Sequence, residues 1–189
     1  MGGYGATPTE RHFDRSIVIL WAGPQAEDVL FVGGDPIERA AIHEAGHAVT
    51  SWRFARGIAE VAIRSDGSGI TTTAPLGVNS AEALPLYALG ETKDRYSEGP
   101  SRKAAKIPSD ARRAVTIAKL LRADRKSARE LVRVRRFEAR LLITRNAELI
   151  RAVAAELLKA GRLSGLQVES IIAATVNEGR ARRLKEIGT

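Results

Sequence analysis

The chain has 189 residues, a formal net charge of +8, 5% aromatic residues and no cysteine. This length suffices for one large domain or two small ones with a real core. The missing cysteines exclude a disulfide framework and a thiolate-held metal, so a transition-metal site would have to draw on carboxylates and on His12, His43 and His47, the three histidines.

Residues 1–6, rich in glycine, read as a flexible leader. Thr7-Pro8-Thr9-Glu10 has the order of a helix start: Thr7 as N-cap, proline at the first position, glutamate at the third. A helix then follows through Ile17, Leu20 and Trp21. Gly23-Pro24 is expected to break or kink it, because proline lacks a donor and crowds the preceding turn. A second short helix from Pro24 to Phe31 would carry Ala26, Val29 and Leu30, so residues 7–34 read as a helix pair. The longest strongly apolar run, Ser16 to Gly23, falls far short of the about 20 residues that span a bilayer. With no basic-then-apolar signal at the N-terminus, the expectation is a cytoplasmic chain without a membrane span.

Asp35-Pro36-Ile37-Glu38 repeats the start signal, and the Ala-rich stretch it opens runs to Trp52. Inside lies His43-Glu44-Ala45-Gly46-His47. Residues four apart share a helix face, so both imidazoles can meet one metal ion. Glu44 lies about 100° round the helix from His43, near enough to take a proton from a water on that ion and to pass it to a leaving amine. That chemistry is metal-assisted hydrolysis, most often of peptides, with Zn2+ as the usual metal.

After Arg56-Gly57 the pattern becomes β-branched: Ile58, Val61 and Ile63, then Ile70 to Thr73, around Asp66-Gly67-Ser68-Gly69. This is a hairpin signature, and residues 35–78 thus hold the histidine helix and a hairpin. The hairpin either covers the helix or offers an edge strand to a peptide. Asn79-Ser80-Ala81-Glu82 could cap a short helix, and residues 90–108 read as a mobile loop. From 109 to 189 the chain is helical. Ala114, Ile117, Ala118 and Leu121 keep helical spacing, as do Leu131, Val134, Phe137 or Glu138, Leu141 and Leu142, and then Ile150, Val153, Ala154, Leu157 and Leu158. Lys159-Ala160-Gly161 gives a stop, and Ser164-Gly165-Leu166-Gln167 caps a last helix through Ile171 and Ile172. The fold class expected is mainly α with a small β-hairpin or sheet.

A catalytic zinc takes three protein ligands, and two histidines leave the set one short. His12 reads as a surface residue. Asp110, in the first turn of its helix, is the leading carboxylate, but Asp66, Glu82 and Asp94 stay open on the residues alone.

The stretch Ile42-His-Glu-Ala-Gly-His-Ala-Val49 resembles the zinc motif of the FtsH family of ATP-dependent membrane proteases. Ser109-Asp110-x-x-x-Ala114-x-x-Ile117-Ala118 is similar to the helix that carries that family's aspartate ligand. Ala128 to Leu131, Leu141-Leu142, Asn146, Ile150, Leu157-Leu158 and Gly161 to Gly165 match its C-terminal helices in order and spacing. The resemblance implies a helical zincin-like peptidase domain over residues 7–189, with His43, His47 and Asp110 as metal ligands and Glu44 as catalytic acid and base. Two departures stand out. The family's ATPase module and membrane anchors have no counterpart, and no GxxxxGK[ST] run exists, which implies a stand-alone, ATP-independent peptidase. The run Gly23-x-x-Ala26-Glu27 resembles a helix that the family places between zinc motif and aspartate, whereas here it precedes both. Either the domain is circularly permuted or the likeness is fortuitous; under permutation this segment packs between the histidine helix and the Asp110 helix.

Charge is uneven. Residues 102–145 hold 15 Lys or Arg against 4 Asp or Glu, leaving the rest mildly acidic. Such a block marks the solvated face of helices, or a surface for an acidic partner, nucleic acid or an anionic membrane. With only Phe137 among the arginines, nucleic acid is the lesser reading. The partner expected is a peptide or unfolded protein substrate, and a homo-oligomer is compatible with it. The alternative function is a catalytically weak or inactive metal-binding adaptor whose basic helices hold nucleic acid or an acidic partner.

Overall fold

A computed structural model describes residues 8–73, 109–122 and 124–187. The elements in order are α1 (Pro8–Leu30), α2 (Pro36–Arg53), β1 (Ile58–Ile63), β2 (Gly69–Thr73), α3 (Ser109–Leu121), α4 (Arg125–Arg145), α5 (Ala147–Ala160), β3 (Arg162–Ser164) and α6 (Gly165–Ile187). The fold is mainly helical with a small three-stranded antiparallel sheet, as the periodicities predict. Thr7, the Asn79–Glu82 cap and the 90–108 loop lie outside the described residues, as do the side chains of His12 and Ser109. Among the described residues no helix is long and apolar enough to cross a membrane.

Each expected cap inside α2 and the hairpin has a physical counterpart. Asp35 sits in extended backbone and its Oδ1 accepts the Ile37 N–H at 2.8 Å, with Pro36 opening the helix. In the hairpin, Val61 faces Thr71 and Ile63 faces Gly69 across an antiparallel ladder. Its turn closes through Arg64 N–H to the Ser68 carbonyl at 2.8 Å, and Gly67 takes φ +77°, which glycine adopts without a Cβ penalty.

Two expectations need correction. The N-terminal helix pair is one helix: α1 passes through Pro24 without ending. Proline removes one backbone bond there, at a cost of about 3 kcal/mol. Burial of Ile17, Val18 and Leu30, each worth about 1.5–3 kcal/mol, outweighs it, because α1 is packed along its length against α2, α3 and α4. The apolar stripe of α4 is not the one the large residues trace. Leu131 is buried, but Val134, Phe137 and Leu141 are exposed, Phe137 at 62%; the helix packs instead through Ala128, Ala139 and Ile143. A third strand, β3, adds to β1 through pairs such as Val61 with Leu163, giving the order β2-β1-β3. The last helix, α6, runs through Ile171 and Ile172 to Ile187, within the helical stretch expected from 109 to 189.

The main core joins α1, α2, β1, the end of α4, α5, β3 and α6 around Val49, Val61, Ile143, Ile150, Leu157 and Ile172. A smaller one holds Ile17 of α1, Ala114 and Ala118 of α3, and Ala128 and Leu131 of α4. The helix α1 therefore lies against both α2 and α3. Its approach to α2 depends on small residues. A Cβ on Gly46 would stand 2.7 Å from the Ala26 Cβ and 2.9 Å from the Ala22 carbonyl oxygen, so any side chain there forces the helices apart.

Candidate metal centre

The centre forms where α1, α2 and α3 meet. Helical spacing puts His43 and His47 on one face of α2, and their Nε2 atoms stand 3.0 Å apart. Asp110, in the first turn of α3, brings Oδ2 to 3.1 Å from His43 Nε2 and 3.4 Å from His47 Nε2. These three form the cluster suited to a metal ion among the described residues. Asp66 does not join it: exposed in the hairpin turn, it accepts the Ser68 N–H at 2.9 Å. Glu82 and Asp94 lie outside the described residues.

The ring orientations follow from the other imidazole nitrogens. His47 Nδ1 is 2.8 Å from the carbonyl oxygen of Ile19. A carbonyl only accepts, so Nδ1 carries a proton and the ring is held with Nε2 toward the centre. His43 Nδ1 donates to Glu27 Oε1, and Arg39 Nε donates to the other Glu27 oxygen. A carboxylate behind an imidazole fixes the ring and raises its basicity, an arrangement common in metal sites. Burial raises the Glu27 pKa, but the hydrogen bonds from His43 and Arg39 outweigh it and hold Glu27 below its ordinary range.

The donor set fits a tetrahedral ion. Ligands at about 2.0–2.1 Å from zinc stand about 3.3 Å from one another, and the three edges here are 3.0, 3.1 and 3.4 Å. Room for the ion comes from α1. A Cβ on Gly23 would lie 2.5 Å from both His43 Nε2 and His47 Nε2, so the missing side chain leaves the space beside the two nitrogens free.

Electrostatics agree with a cation at this point. Burial works against a charged His43, yet hydrogen bonds to Asp110 and Glu27, with the charges of Glu44 and Asp110, push its pKa up to about 10. Burial likewise raises Asp110, but its hydrogen bonds to His43 and His47 win and hold it well below the usual carboxylate range. A proton on His43 thus occupies the place a metal ion can take.

Glu44 is buried at 6% exposure on the neighbouring face of α2. The Thr71 hydroxyl of β2 donates to its Oε2 at 2.7 Å. A Cβ on Gly69 would meet the Glu44 Cγ at 2.5 Å, so the start of β2 lies directly over this side chain. Among the described strands β2 is an edge, paired only with β1.

The structure brings together His43, His47 and Asp110 with Glu44 close by, and adds Gly23, Glu27, Arg39 and Thr71. Gly23 and Glu27 belong to the Gly-x-x-Ala-Glu run, whose spacing of four puts them on one helix face. That spacing was the available signal; Arg39 and Thr71 carry none. Compared with protein-family models, characterised proteins and solved structures, the chain matches none.

Proposed function

We propose that the chain is a zinc-dependent peptidase that hydrolyses peptide bonds without ATP, with His43, His47 and Asp110 as ligands and Glu44 as acid and base. The observation that carries the reading is the convergence of two Nε2 atoms and a carboxylate oxygen at tetrahedral edge lengths, beside a buried glutamate. The likeness of His43 to His47 and of the Asp110 helix to FtsH-type peptidases supports it, as does the place of α1, which suits a permuted domain of that type.

Zinc bound there would supply Lewis acidity, polarising a carbonyl and acidifying water. The chain's own residues do the rest. Glu27 and the Ile19 carbonyl hold the two rings so that both Nε2 atoms face inward. Glu44 takes a proton at its carboxylate and returns it to the leaving amine. The Thr71 hydroxyl fixes the rotamer from which it does so. The backbone of β2 supports a peptide in extended form, because an edge strand has unpaired N–H and C=O groups.

The test is incubation of zinc-loaded protein with unfolded casein, without nucleotide, beside a Glu44→Gln variant. The wild type should cleave; the variant should hold the metal and lose cleavage, since an amide cannot accept the proton. Zinc binding without cleavage by the wild type would overturn the peptidase reading in favour of a metal-binding adaptor. Equal cleavage by both proteins would remove Glu44 from the mechanism.

A further inference from the structure

The basic block is not neutralised evenly. In the middle of α4, Arg133 pairs with Glu130, Arg135 with Asp14 and Glu138, and Arg136 with Asp28. At the start of the helix the situation differs. Arg125 and Arg129 of α4, with Lys119 of α3, rim a groove floored by Val115, Ala128 and Val132. Arg122 adds a fourth cation at the groove's end. All four cations are exposed, and Lys119, Arg125 and Arg129 have no ion-pair partner among the described residues. Asp124 also lines the end, but its carboxylate is committed: Oδ1 accepts the Lys126 and Ser127 N–H groups as the N-cap of α4.

We propose that the groove between α3 and α4 docks an acidic, amphipathic segment of a partner protein, its apolar side chains on the floor and its Asp or Glu side chains on the rim. Four cations against the one carboxylate of Asp124 leave the rim net positive, and such a rim attracts an anionic partner. The aliphatic floor asks for apolar side chains. A nucleic acid fits poorly, because single strands bind by stacking on aromatic rings. Phe137 is five residues beyond Val132, about 140° round the helix, and so faces away from the floor. An anionic bilayer fits poorly as well, since an interfacial helix buries a protruding apolar face and here the apolar surface is recessed below the cations. Lys119 is nine residues from Asp110, about 13 Å along α3, so the groove stands apart from the metal centre and the proposal does not depend on it.

The experiment measures fluorescence polarisation of a labelled short peptide, leucine on one helical face and glutamate on the other, with the full chain. Comparison probes are the same peptide with lysine for glutamate, the same peptide with serine for leucine, oligothymidylate, and phosphatidylserine vesicles. The leucine–glutamate peptide should bind in a salt-sensitive way, and each comparison probe should bind more weakly. Lys119→Glu/Arg125→Glu/Arg129→Glu should weaken it by about 10–100-fold. The control Arg140→Glu/Arg151→Glu/Arg182→Glu makes the same change in net charge at exposed sites elsewhere and should weaken it by less than about 3-fold. Should the first variant fail to fold by circular dichroism, Lys119→Ala/Arg125→Ala/Arg129→Ala carries the test with a loss of about 5–30-fold. Equal losses in groove and control variants would reduce the effect to net charge and overturn the proposal. So would equal binding of the serine peptide, no binding of the leucine–glutamate peptide, or tighter binding of oligothymidylate or vesicles.

Discussion

Gly23→Ala tests the metal centre at a residue that would not itself bind the ion. The added methyl carbon would stand 2.5 Å from Nε2 of His43 and of His47, and 2.7 Å from His43 Cδ2. Ordinary contact needs about 3.5 Å, so the overlap is about 1 Å on two rings at once. Neither ring can swing away freely, because His43 is held at Nδ1 by Glu27 and His47 by the Ile19 carbonyl. The clash costs about 1–3 kcal/mol, and alanine's better helix propensity returns about 1 kcal/mol. The net loss of fold stability should therefore be about 0–2 kcal/mol, and the variant should fold. Metal binding should suffer far more, because the methyl group crowds both Nε2 atoms and displaces the rings that would hold the ion. Zinc at 100 times its dissociation constant stabilises a folded protein by about 2.7 kcal/mol, which for a chain of this size raises the melting temperature by about 5–11 °C. The wild type should show that rise in a thermal scan with and without zinc; Gly23→Ala should show almost none, and its affinity in a chelator competition should fall by more than about 100-fold. A variant that folds and binds zinc like the wild type would refute the placement of α1 against the two histidines.

Three further outcomes follow from the same geometry. Glu27→Gln keeps the shape behind His43 but loses the charge and the Arg39 pair; zinc affinity should fall about 10–100-fold, and an unchanged affinity in competition titration would remove Glu27 from the site. The metal-free protein should have a stability window in pH. His43 has its folded-state pKa raised from 6.5 to about 10, so its contribution is full below about 6.5 and lost as pH rises through 10, whereas Asp110, held low, contributes above its ordinary 3.8 and loses that on acidification. Melting temperatures in chelator should therefore fall on either side of about pH 4–6.5, and zinc, which displaces the His43 proton, should bind more tightly from pH 6 to about 9; a flat affinity would contradict the assignment. Gly165→Ala would bring a Cβ to 1.8 Å from the Ile58 carbonyl oxygen, a backbone atom that cannot move without parting β1 from α6. It should lower the melting temperature by about 2–12 °C, while Gly179→Ala, with open space around it, should be neutral or slightly stabilising; equal effects would show that β1 does not lie where described.

The parts of the site that could be read in the sequence are those written in local spacing. His43, Glu44 and His47 declare themselves because one turn of helix relates them, and Asp35-Pro36 declares the start of that helix. Asp110 is 67 residues from His43, and no local rule singles it out from Asp66, Glu82 or Asp94; only its resemblance to a ligand-bearing helix did. The outward turn of Phe137 is hidden because size suggested burial, while close packing on α1 favours Ala128 and Ala139. Strand β3 is too short for alternation to register. Pro24 shows local chemistry overruled: the loss of one hydrogen bond is smaller than the burial gained by keeping α1 whole.

The distance of Asp110 along the chain sets a timetable for synthesis. Both imidazoles, together with Gly23 and Glu27, leave the ribosome before the third oxygen has been made. At about 5–20 residues per second, the 67 residues from His43 to Asp110 take about 3–13 s. During that interval α1 and α2 can pair through Ala22, Ala26 and Gly46, but the pocket has only two of its three donors and holds an ion weakly. Under the proposed reading, a nascent copy that could attack the unfolded chains around it, itself included, remains inert until α3 has docked.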